Sequence, residues 1–204
     1  MPVILYLHGF LSSPRSEKVR ILRAAVEREN ARRAESGVGE PVKLIAPDMN
    51  HPPRCVDRLL HEIAERVDLA QTTVVGSSLG GFFATRFARE FGTRAVLLNP
   101  CFDPWTFIPD FIGEQTIYGT DRTLEVKSEF EADFLTLQST VPAVVPTSVP
   151  VLTLVSLEDE VLPWKKTYAG AEGSVERVML TGEDHRISGF DKWVDKVLHF
   201  AIAH

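Results

Sequence analysis

The sequence predicts a doubly wound α/β fold: a mostly parallel sheet of about six strands, flanked by helices, with a short cap insertion. Three observations predict it. Short β-rich runs alternate with longer helical patterns, the order that builds a parallel sheet covered on both faces. The helical stretches carry single apolar stripes, so each has one face to bury. One long aromatic-rich segment interrupts the rhythm between two strands, and insertions of that length in such folds supply lids or binding loops. At 204 residues the chain can bury one sizeable core, and a single domain over residues 1–204 is expected.

The elements follow in order. Val3 to Leu7 is the first strand, and Val19, Leu22 and Val26 mark a helix after Ser16. Val42 to Ala46 is the second strand. Val56, Leu59, Leu60, Ile63, Ala64 and Val67 recur at helical spacing, which places one stripe on a helix from about Arg54 to Val67. Thr72 to Val75 is the third strand, followed by a helix over Phe82 to Phe91 that stops at Gly92. Ala95 to Leu98 is the fourth. Residues 101–148 then hold seven aromatics (Phe102, Trp105, Phe107, Phe111, Tyr118, Phe130, Phe134) and a Pro-rich end, with no clear strand. This segment reads as the cap. Val151 to Val155 and Val175 to Leu180 complete the sheet, and Phe190 to Ala203 forms a terminal helix.

Composition narrows the function classes. The net charge of −6 and the absence of a basic stripe argue against nucleic acid as a partner. The charged run Glu27 to Glu35 mixes both signs at helical spacings and reads as a solvated helix face. Two cysteines, Cys55 and Cys101, neither make a metal site by themselves nor resemble a secreted disulfide framework, so a cytoplasmic location is expected. The opening apolar run lacks a basic leader and reads as a strand, not a signal peptide. No apolar stretch approaches the roughly 20 residues of a membrane span. No metal or other cofactor is called for.

Chemistry concentrates at Gly76-Ser77-Ser78-Leu79-Gly80, directly after a strand and directly before a helix. Such a strand-turn-helix elbow holds a central serine out at the top of the sheet, while the glycines relieve crowding in a strained turn. Ser78 is the candidate nucleophile. It needs a base, and the chain has six histidines. His61 lies on the second helix, His199 and His204 sit in or beyond the last, and His51 lies in a Pro-rich connection; each reads as a surface residue. His185 instead follows the final strand and precedes the terminal helix, the place from which this topology offers a base to the elbow. A carboxylate must then fix the histidine tautomer and stabilise the imidazolium. Glu158, Asp159 and Glu160 compete for that role. The amide of Leu79, just after the nucleophile, is one candidate donor to an oxyanion.

Several blocks carry a family resemblance: residues 8–18 from His8-Gly9-Phe10 onward, Gly76 to Gly81, Asn99-Pro100, Asp159 to Leu162, and His185 through Phe190. The chain resembles the small bacterial esterases of the YqiA type, a compact branch of the α/β-hydrolases. The resemblance implies hydrolysis of a small-molecule acyl ester or thioester without a cofactor. It selects Asp159, because Ser156 to Pro163 resembles the turn after the penultimate strand whose fourth position carries the acid. The order Ser78, Asp159, His185 is that of this class. It also implies that Phe10 supplies the second oxyanion donor, with His8 bracing the loop. The loop 12–16 reads as a Ser-capped helix start, with Arg15 and its amides as an alternative seat for an anionic substrate group. Trp105 and Phe107 are expected among the residues that face Ser78 and line an acyl pocket. Two rival readings remain: an amide or carbon-carbon bond hydrolase on the same scaffold, and a non-catalytic binding protein of this fold.

Overall fold

The computed structural model describes residues 1–203; His204 lies outside the described residues. In chain order the elements are β1 (Val3–Leu7), α1 (Glu17–Ser36), β2 (Lys43–Ile45), α2 (Pro53–Ala64), β3 (Thr72–Ser77), α3 (Leu79–Phe91) and β4 (Arg94–Leu98). After them come β5 (Gly113–Thr116), β6 (Thr123–Val126), α4 (Glu129–Thr140), β7 (Val151–Ser156), α5 (Trp164–Gly170), β8 (Glu176–Leu180) and α6 (Val194–Ile202). Six strands form one sheet in the order β2-β1-β3-β4-β7-β8, every neighbouring pair parallel. The expected doubly wound α/β architecture is the one observed.

Successive strand residues point to opposite faces, so each strand feeds two cores. Leu5, Leu7, Val74 and Leu97 pack with α2, α3 and α4, while Ile4, Tyr6, Val75, Val96 and Leu98 pack with α1 and α6. That explains why the inner strands β1, β3, β4 and β7 read as largely apolar runs: both of their faces are covered. Fully burying each large side chain stabilises by roughly 1.5–3 kcal/mol.

The sheet order also locates a crevice. From β1 the chain moves outward to β2 and then returns across β1 to β3, so connections leave the adjacent strands β1 and β3 in opposite directions. Loops at the carboxyl ends of such strands diverge and leave room for a ligand. The His8-Gly9-Phe10 turn follows β1 and Ser78 follows β3.

Residues 101–148 depart from the expectation of no clear strand, because β5 and β6 pair as an antiparallel hairpin. Their sequences, Gly-Glu-Gln-Thr and Thr-Leu-Glu-Val, bury only Val126, which leaves no apolar run to read. The sequence likewise marks neither α4 nor the short α5. Arg86, buried on α3, fastens the segment by donating to the carbonyls of Leu137 and Val141 and to Asp57 at 3.0 Å. The second helix ends at Ala64 and not at Val67, and a 3-10 turn at Phe190–Lys192 precedes α6.

Candidate active site

Ser78 occupies the residue between β3 and α3, with φ 54° and ψ −120°. Only an unusually tight turn reverses a strand into a helix in one residue, and the glycines beside it make room. A Cβ on Gly76 would lie 2.3 Å from the Gly80 carbonyl oxygen, and one on Gly80 would lie 2.0 Å from that of Leu7. The Ser78 amide donates to the Leu98 carbonyl at 3.0 Å, and its own carbonyl accepts from Gly81 and Cys101. The strained conformation is therefore held by the end of β4 and by the first turn of α3.

Three residues far apart in sequence converge here. His185 Nε2 lies 3.0 Å from Ser78 Oγ, and His185 Nδ1 lies 2.8 and 3.0 Å from the two carboxylate oxygens of Asp159. The Asp159 carboxylate is 1% exposed and accepts the amides of Val161 and Leu162 at 2.9 and 2.7 Å. With two backbone N–H donors and an imidazole around it, this carboxylate has its charge satisfied without water. Glu158 and Glu160, the competing acids, accept the backbone amides of Gly182 and His185. They hold the loop that carries the histidine, while Asp159 holds its ring.

The loop after β1 closes the other side. Gly9 packs against Ser78, since a Cβ there would sit 3.2 Å from the serine Cβ. Among the described residues neither the Phe10 nor the Leu79 amide is spent on a hydrogen bond. His8 is buried, accepts the Met49 amide at Nε2 (2.9 Å), and has Nδ1 2.9 Å from the Gly9 carbonyl. Burial pulls the His8 imidazole below its ordinary value, against the opposing pull of the Gly9 carbonyl and Asp48. A neutral ring that donates through Nδ1 and accepts through Nε2 fits both partners.

Sequence reasoning gave Asn99 no role, yet it locks the site. With φ 43°, its side-chain amide donates to Ser156 Oγ at 2.9 Å and to the His185 carbonyl at 3.0 Å, and its Oδ1 accepts the Ser156 amide at 2.7 Å. The positive φ is one that asparagine adopts more readily than most residues. One side chain thereby couples the end of β4 to β7 and to the His185 loop.

Ser78 and His185 open onto a cleft of about 990 Å³, with Arg15 on its wall. Trp105 and Phe107 lie outside that lining. Trp105 packs edge-on against Phe82, and Phe107 against Phe10 at 5.6 Å between ring centroids, within the apolar layer over α3. From residues 101–148 it is instead the β5–β6 turn, Tyr118 to Arg122, that reaches the cleft. Cys101 is buried and its thiol is pushed up to about 12 by burial. His61 pairs with Glu90 on the surface of α2 and α3. Among the described residues no three His, Cys, Asp or Glu side chains cluster as a metal-ligand set, and no helix is long and apolar enough to cross a membrane.

A six-stranded parallel sheet in this order, with a serine at the elbow after its third strand, defines the α/β-hydrolase fold. Solved structures agree over the whole chain. Est1E from Butyrivibrio proteoclasticus superposes with a TM-score of 0.66 at 17% identity, covering 100% of this chain and 89% of that one. Mouse alpha/beta hydrolase domain-containing protein 10 gives 0.69 at 17%, covering 97% and 90%. The monoacylglycerol lipase of Paleococcus ferrophilus gives 0.64 at 11%, covering 99% and 94%. At these identities the likeness is one of fold. Residues 3–202 match the sequence model of an uncharacterised protein family, UPF0227, and the chain belongs to that family. A UPF0227 protein of Shewanella woodyi is 31% identical over 107 residues, and one of Serratia proteamaculans 28% over 105. Each alignment takes in 50% of this chain and 52% of the relative, so the chain spans about half the length of the curated relatives it matches.

Proposed function

We propose that this chain is a serine hydrolase that cleaves a small-molecule acyl ester or thioester through an acyl-enzyme at Ser78. The observation that carries the reading is the unbroken relay from Asp159 through His185 to Ser78, with contacts of 2.8 and 3.0 Å. His185 Nε2 takes the proton of Ser78 as Oγ attacks the acyl carbon, and the carbonyl electron pair moves onto oxygen. The Leu79 and Phe10 amides are the donors for that oxyanion, a contribution worth on the order of 10²–10³ in rate for one donor. The leaving alcohol or thiol departs with the proton from His185. Water then attacks the acyl-serine, giving its proton to His185, and the acid leaves as Ser78 recovers its hydrogen. Asp159 holds the imidazole in place through both steps. Residues 1–204 act as one hydrolase unit, with 101–148 as its cap.

An activated short-chain ester tests this directly. Stopped-flow mixing should show a burst of leaving group close to one equivalent of protein, and Asp159→Asn should cut turnover about 10³–10⁴-fold by favouring the wrong tautomer. An unaffected Asp159→Asn variant would contradict the relay. Parallel panels of esters, thioesters and amides assign the scissile bond.

A further inference from the structure

We propose that the cleft beside Ser78 selects substrates carrying an anionic group, a carboxylate or a phosphate monoester, seated at the amino end of α1 against Tyr6 and Arg15. The proposal rests on the hydrolase reading for its turnover, and on the cleft alone for its anion seat.

Available space directs substrate into the cleft. The apolar hollow behind Phe10 and Leu79 measures about 20 Å³, room for a water-sized group, against about 990 Å³ in the cleft. The cleft sets charged and hydroxyl groups beside apolar rings. Its wall includes Ser16, Glu17 and Lys18 at the start of α1, a 20-residue helix. Ser16 makes no side-chain capping bond, so the N–H groups of the first turn have no side-chain acceptor. Those groups and the helix dipole favour a negative charge.

The second observation is independent of the helix. Tyr6 lines the same cleft from β1, is 1% exposed, and its hydroxyl has no hydrogen-bond partner among the described residues. The Ser77 hydroxyl is close enough to influence it but does not meet it in hydrogen-bonding geometry. Burial holds the phenol well above its ordinary value, so it stays neutral and able to donate. A buried donor left unpaired is costly, and an anionic oxygen in the cleft would relieve it. The charge of the wall points the same way. Arg122 is matched by Asp48 at 2.7 Å, whereas Arg15 and Arg186 take part in no ion pair among the described residues. Lys18 donates to the Arg186 carbonyl. The remaining acids on the wall, Glu17 and Asp121, are exposed to solvent at its edge.

Binding and turnover test the proposal separately. Ser78→Ala protein is titrated calorimetrically at low salt with inorganic phosphate and with acetate. At least one should bind, which tells a phosphate seat from a carboxylate seat, and Tyr6→Phe or Arg15→Ala added to that background should weaken it fivefold or more. No binding of either anion, or binding that both substitutions leave unchanged, overturns the proposal. Two matched ester pairs then report selection: 4-nitrophenyl hydrogen glutarate against 4-nitrophenyl pentanoate, and butyryl esters of 4-hydroxybenzoate against its methyl ester. In at least one pair kcat/KM should favour the anionic ester tenfold, and Tyr6→Phe should erase most of that ratio; equal rates in both pairs overturn it. Anion binding by a wild-type protein that no fluorophosphonate labels at Ser78 would instead overturn the hydrolase reading and leave the anion seat standing.

Discussion

Ser78 sits at φ 54° because β3 must become α3 within one residue, and such a conformation costs roughly 1–3 kcal/mol in a non-glycine residue. The surrounding hydrogen bonds over-determine it. Asn99 meets the same demand differently, using a positive φ to aim one amide at β7 and at the His185 loop. Asn99→Leu removes the side-chain bonds to Ser156 and to the Asp184 and His185 carbonyls and leaves the Ser156 amide and the His185 carbonyl unpaired, so a loss of about 2–4 kcal/mol in stability is expected. Denaturant midpoints measure it. Turnover of an ester should fall at least tenfold, mainly in kcat, because the imidazole loses its bearing while the cleft keeps its shape. Ser78 and His185 were legible in the sequence because a local pattern and a place after the last strand mark them. Asn99 was not, since its partners lie 57 and 86 residues away and only the assembled sheet brings them together.

The aromatic segment shows the same limit at the scale of elements. Composition marked 101–148 as an insertion, but not which way its rings would face. Phe107 and Phe111 stack edge-on with Phe10, at 5.6 and 5.2 Å, so they brace the loop after β1 from behind. Phe107→Ala should therefore cost about 1–3 kcal/mol in stability, and should lower kcat more than it raises KM. A rise in KM alone would mean that Phe107 touches substrate. His8 braces the same loop from the other side. Its folded-state imidazole titrates below its ordinary value, so the unfolded chain binds a proton first as pH falls. Stability tied to His8 is present above about pH 6.5 and lost as pH drops below it. Denaturation midpoints between pH 7.5 and 5.5 should fall in the wild type and fall less in His8→Asn; identical slopes would remove His8 from the account.

For the whole molecule, sheet order does the positioning. Placing β1 beside β3 with β2 outside sets the Gly9-Phe10 turn against Ser78, and placing β7 next to β4 with β8 beyond it delivers Asp159 and His185 from the far side. The inner strands β1, β3, β4 and β7 were legible because both faces are buried and their runs are largely apolar, and the half-exposed edge strands β2 and β8 because β-branched and aliphatic residues still recur in them. The β5–β6 hairpin was not, because it buries so little. The central claim is that this convergence makes Ser78 a nucleophile, and covalent labelling tests it most directly. Native protein is treated with a fluorophosphonate, and the adduct is located by mass spectrometry of its peptides. One adduct per chain, on Ser78, is expected in the wild type and in Ser77→Ala, with none in Ser78→Ala. Labelling on another residue, or a folded wild-type protein that takes up no label, would contradict the account.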